Sequence, residues 1–218
     1  MGPIYINPES PGYMRKATRS LHASSYEALA DAILGQGVRP FGNFVPPPDI
    51  NHSTGNWYAS NFAKQFDLAQ ILMAHASGSW LLEAGSFIGG SARTFVRAAK
   101  LLNLSTPIVC VDTWAGDVPM WLKKGKNLGP QGSSGEPRLW HQFMANLGRE
   151  GNHHVIPLQA PAMVGLRYLN ELANRGRISR PKVIYLDTAH DCAHVPSTIF
   201  FSWNAIFARF RIFLLFLF

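Results

Sequence analysis

Leu82-Glu83-Ala84-Gly85-Ser86-Phe87-Ile88-Gly89-Gly90-Ser91 is the stretch on which the reading of this chain turns. The apolar run Trp80 to Ala84 enters a glycine turn, after which Ile88, Ala92, Phe95, Ala99 and Leu102 recur at helical spacing, so the pattern is strand, turn, helix. Downstream the theme repeats. Ile108 to Val111, Val155 to Leu158 and Val183 to Leu186 each have the length of a buried strand. Between them lie a helical stripe of Leu139, Phe143 and Leu147, bracketed by Pro137 and Gly148, and a helix over about 162–173. Upstream, Phe62, Phe66, Ala69 and Leu72 mark one more helix, closing before Gly78. Strands that are apolar on both sides and alternate with helices predict an α/β fold, a doubly wound, mostly parallel sheet covered on both faces.

The domain so outlined runs over 61–218. Residues 1–60 read as an N-terminal extension, broken by Pro and Gly except for one helix, about Arg19 to Leu34, ended by Gly35 and Gly37. Pro40 to Pro48 follows as an extended linker. One connection is out of rhythm: Ala115 to Glu136 carries five glycines, two prolines and three lysines in 22 residues, the composition of a lid over a site. The sequence has no internal repeat.

With 218 residues, 47% of them apolar and 15% charged, the chain has enough apolar surface for a sizeable core, which excludes disorder for its bulk. Two cysteines, Cys110 and Cys192, make neither a disulfide framework nor, alone, a structural zinc site. Pro3, Pro8, Glu9 and Pro11 interrupt the region where an export signal would need an apolar run, so the expected address is cytoplasmic. Arg209 and Arg211 break the apolar residues 199–218, and no membrane span is expected. The formal net charge of +7 arises wholly between residues 121 and 182, where ten basic side chains face three acidic ones. A nucleic-acid surface would have that bias, but the nearby aromatics sit at core-like helical spacing, which favours solvated loops and helix faces.

In an open parallel sheet, the turn after a strand is where ligands bind, and the free N–H groups that begin the following helix favour an anionic group. Three chemistries use such a turn. A phosphate-binding loop needs Lys-Ser/Thr where this chain has Ser91-Ala92. A dinucleotide turn needs a second glycine where Phe87 stands. What is left is Glu-x-Gly-x-x-x-Gly-x-Ser, with the Glu83 carboxylate able to accept a hydrogen bond from a ligand ammonium. Asp112 closes the second strand 23 residues after Gly89, where an acid holds a ribose diol. Asp187 and His190 end the fourth strand, which should flank the first at the reversal of strand order. His190 and His194 are spaced like a helical zinc pair, but no third ligand follows them and Pro196 disfavours the helix.

These three motifs together resemble the class I S-adenosylmethionine-dependent methyltransferases, in particular a small-molecule O-methyltransferase-like group. Glu83 to Ser91 is similar to its glycine turn, Val111-Asp112-Thr113-Trp114 to its Val-Asp-Thr-Trp strand end, and Asp187 to His190 to its Asp-x-x-His strand end. The similarity covers about 57–203. It implies a Rossmann-like transferase in which Glu83, Gly85, Ser86, Gly89 and Ser91 line the methionyl end of S-adenosyl-L-methionine. Asp112 would hold the ribose, Thr113 and Trp114 would lie against the adenosine, and Asp187 and His190 would face methyl transfer, with one of them as general base. In the family, Asp187 would also be a candidate ligand for a divalent metal such as Mg2+.

The chain departs from that group in two places. Cys192 stands where relatives have tyrosine, and the Pro-Gly-Gly turn and the metal-binding Asp pair of the next strand are absent. The expectation is therefore a sheet of about five strands, truncated relative to the usual seven, with residues 210–218 as the fifth strand and an open outer edge prone to self-association. Methyl transfer to an oxygen nucleophile of a small molecule is the function that the resemblance implies. The alternatives are a non-catalytic cofactor-binding remnant and, behind it, an RNA methyltransferase using the basic 121–182 stretch.

Overall fold

The structure, a computed structural model, describes residues 25–48, 50, 62–116, 138–148 and 153–187. In chain order the elements are α1 (Tyr26–Leu34), α2 (Phe62–Ala76), β1 (Leu81–Ala84), α3 (Gly90–Leu101), β2 (Ile108–Asp112), α4 (Leu139–Gly148), β3 (Val155–Gln159), α5 (Ala162–Asn174) and β4 (Val183–Leu186). The strands form one parallel sheet in the order β3-β2-β1-β4. This is the doubly wound, Rossmann-like α/β arrangement that the alternating pattern predicts. The chain winds outward from β1 through β2 to β3, then crosses back through α5 to β4 on the far side of β1. Right-handed crossovers in opposite directions put their helices on opposite faces of the sheet.

The period-2 alternation divides the side chains between those faces. Leu81, Ile108, Cys110, Val155, Val183 and Tyr185 point into a core shared with α2, α3 and α4, where Met73, Phe95, Phe143 and Leu147 are buried. Leu82, Ala84, Val109, Val111, Ile156 and Ile184 point the other way, against α5 and α1. On that side Gly165 lies so close to β2 that a Cβ would collide with the Val111 side chain, so α5 rests directly on the strand.

Strands and helices fall where the apolar periodicity puts them, with instructive differences. The first helix begins at Tyr26, because Ser25 is extended (φ −76°, ψ 149°) and its Oγ accepts the Ala28 amide at 3.3 Å. That helix is not set apart from the domain. Tyr26, Leu29, Ala30 and Ile33 are buried in the second core, and the Tyr168 hydroxyl donates to the Ile33 carbonyl at 2.8 Å. Ile88, placed on the helical stripe by spacing, lies in the turn before α3, since Gly89 adopts a left-handed conformation and delays the helix to Gly90.

Among the described residues, β3 and β4 are the sheet edges, and β3 carries Pro157, which lacks the N–H that an intruding strand would pair with. No described helix is long and apolar enough to cross a membrane. The expected fifth strand at 210–218 and all but the first two residues of the expected lid at 115–136 lie outside the described residues.

Candidate functional site

At the C-terminal edge of the sheet, β1 and β4 flank the point where strand order reverses, which is the ligand crevice of open α/β sheets. The turn between β1 and α3 stands over it. Its shape requires three residues with positive φ, namely Gly85 (90°), Phe87 (47°) and Gly89 (84°). A phenylalanine in the left-handed region is strained, so its neighbours must hold it there. They do so at both ends of its peptide: the Phe87 amide donates to Asp112 Oδ2 at 2.8 Å, and the Phe87 carbonyl accepts the Trp114 indole N–H at 2.8 Å.

Asp112 thus ties the end of β2 to the turn. Its second oxygen, Oδ1, accepts the Trp114 amide at 2.7 Å. Oδ1 also accepts the Thr113 hydroxyl at 3.5 Å, so it is Oδ2 that keeps a further lone pair for a ligand; the side chain is half-buried rather than sealed. Thr113 is exposed beside it, with its Oγ1 accepting the Ala115 amide at 3.1 Å and its carbonyl accepting from Gln159 Nε2 at 3.2 Å.

Beneath the turn, Glu83 is fully buried between its sheet neighbours Cys110 and Tyr185. Its Oε2 accepts the Ser86 hydroxyl at 2.6 Å and the Cys110 thiol at 3.3 Å, while Oε1 has no hydrogen-bond partner among the described residues. Burial raises this carboxyl, against the opposing pull of the Ser86, Ser91 and Cys110 side chains and with the charge of Asp187 adding to the rise, to about 7 on balance. The same burial drives the Cys110 thiol and the Tyr185 phenol well above their ordinary ranges. Asp187 follows β4, half-buried, with its amide donating to the Ala84 carbonyl at 2.8 Å, so it shares the edge with Glu83 as expected. Ser91 sits half-buried in the first turn of α3.

The structure thus brings Glu83, Gly85, Ser86, Ser91, Asp112, Thr113 and Asp187 to one edge. His190, its neighbour Asp191, and the His190–His194 pair lie outside the described residues, and no group of three metal-ligating side chains occurs among the described ones. Gly89 and Trp114 both pack against α4. Gly89 is glycine because α4 crowds it: a Cβ there would run into Leu147 and Phe143. Trp114 is only 1% exposed, its ring packed against Trp140 and Phe143 at centroid distances of 4.8 and 4.7 Å. What spacing alone did not reveal is Asn146 of α4, 1% exposed, whose Nδ2 donates to the Ile88 carbonyl at 2.8 Å. A polar residue on the apolar stripe between Phe143 and Leu147 was the available signal.

No family model and no curated protein matches this chain. Among solved structures it is similar to the calicheamicin methyltransferase CalS11, at 16% identity and a TM-score of 0.38 over 59% of this chain and 55% of that one. The chain spans a little over half the length of that protein.

Proposed function

We propose that the chain binds S-adenosyl-L-methionine and transfers its methyl group to an oxygen nucleophile of a small molecule. The observation that carries this reading is the convergence of Glu83, Asp112 and Asp187 around one strained glycine turn at the reversal point of a parallel sheet. The three motifs lie far apart in sequence and meet at one edge. The partly exposed carboxylates of Asp112 and Asp187 favour a ligand bearing a sulfonium and an ammonium, while the N–H groups that open α3, lacking intrahelical acceptors, favour its carboxylate. Asp112, half-buried at the strand end with acceptor capacity left on Oδ2, suits a ribose hydroxyl.

The cofactor supplies an electrophilic methyl on sulfur, and the protein's task is alignment and exclusion of water. The turn and Asp112 orient the donor. Asp187, at the open end of β4, is a candidate base for the acceptor hydroxyl proton, with His190 the second candidate. Asp187 is the residue to which a divalent metal such as Mg2+ would be assigned, but the described side chains complete no ligand set around it.

Incubation with S-adenosyl-L-methionine and a panel of phenolic and sugar hydroxyl acceptors, read by mass spectrometry for methylated product, tests the reading. Turnover that falls sharply in Asp187→Asn supports it. Binding without turnover on any acceptor points instead to a non-catalytic remnant.

A further inference from the structure

The Ile88–Gly89 peptide is pinned on both sides. Its carbonyl accepts the Asn146 Nδ2 proton at 2.8 Å, and its N–H donates to the Ser86 carbonyl at 2.7 Å. Asn146 is itself oriented, because Gln142 Nε2, one turn earlier on α4, donates to its Oδ1 at 3.0 Å. The same helix presses Leu147 and Phe143 on Gly89, so α4 fixes both the position and the peptide orientation of the turn. The next residues, Gly90 and Ser91, open α3, and their N–H groups have no intrahelical acceptor. On the other flank stands the buried Glu83, held at Oε2 by the Ser86 hydroxyl of the same turn.

The chemistry of a turn depends on which half of each peptide faces the ligand. With φ near 84° at Gly89, the backbone there is free to reorient, and a released Ile88 carbonyl could swing its negative end toward the crevice. There it would oppose an anionic group bound at the helix start.

We propose that Asn146 is the positioning residue of the glycine turn, holding the Ile88 carbonyl against α4 so that N–H groups, and no carbonyl, meet the carboxylate of the bound ligand. This rests on the methyltransferase reading above, because it takes the methionyl carboxylate as the group that the turn receives. Asn146 does not touch the ligand; it acts through the peptide it holds.

The test compares S-adenosylhomocysteine with its decarboxylated analogue by calorimetry, using the full chain, Asn146→Leu and Gln142→Leu. Asn146→Leu should weaken S-adenosylhomocysteine about tenfold, the size of one well-placed hydrogen bond, and Gln142→Leu by a smaller factor of about threefold. The decarboxylated analogue should bind all three proteins within about twofold, because it lacks the group whose surroundings change. Gln142 is only half-buried, so its variant keeps the question answerable if Asn146→Leu fails to fold. Equal losses for both ligands would reduce Asn146 to general support of the fold and overturn the proposal, as would unchanged affinities in folded variants. A wild-type chain that binds neither ligand fails the cofactor reading itself, an outcome distinct from wild-type binding with indifferent variants.

Discussion

Asp112 Oδ2 and the Phe87 amide, 25 residues apart, meet at 2.8 Å and join the end of β2 to the turn that follows β1. The bond gives Asp112 two duties, bracing a strained backbone and offering the remaining lone pair of Oδ2 to a ligand. Asp112→Ala should therefore both lower stability, by about 1–3 kcal/mol for two amides left without an acceptor, and weaken cofactor binding. Denaturant unfolding measures the first. A variant as stable as the wild type would show that water replaces the carboxylate and that the brace is dispensable.

Stability should fall as pH rises, through Glu83. Its folded-state pKa, about 7, lies above the ordinary value of 4.5, so the folded chain holds this proton more tightly than the unfolded one. The resulting stabilisation is full below about pH 4.5 and lost by about pH 7, amounting to about 3 kcal/mol across that window. Glu83→Gln, which cannot ionise, should flatten this part of the profile and exceed the wild type in stability at pH 8. A variant less stable than the wild type at pH 8 would mean that the buried carboxylate is matched by a cation.

Gly89 and Leu147 should be coupled energetically. Gly89→Ala introduces a methyl group against Leu147 and places alanine at a φ of 84°, a destabilisation of about 1–3 kcal/mol or more. Leu147→Ala alone should cost about 2–5 kcal/mol for the cavity it opens. Made together, the two should cost less than their sum, because the new methyl group occupies part of the vacated space. Strict additivity in a double-mutant cycle would disprove the contact.

The elements that rest on periodicity were legible in the sequence: the four strands, the helices between them and the turn at Gly85 to Gly89 all follow from apolar spacing and glycine placement. So did the sharing of one edge by Glu83, Asp112 and Asp187, because a parallel sheet puts every strand's C-terminal end on the same side. What depends on tertiary contact was hidden. Nothing local in Tyr26 to Ile33 distinguishes a helix on a separate extension from one buried against β3. Gly89 carries the same letter whether a ligand or Leu147 demands it. Trp114 follows the motif that suggested adenosine contact, and its ring packs against Trp140 and Phe143, aromatics that only the fold brings near. Asn146 is a polar residue in an apolar stripe, and its partner, the Ile88 carbonyl, is 58 residues away.

Cofactor binding is the claim on which the rest depends, and titration calorimetry with S-adenosyl-L-methionine measures it most directly. The account predicts saturable binding at one site per chain, weakened about tenfold or more in Asp112→Ala as the charge-assisted hydrogen bond to the ribose is lost. Absence of any binding by the folded wild-type chain up to about 1 mM ligand, a limit equivalent to about −4 kcal/mol, would contradict it.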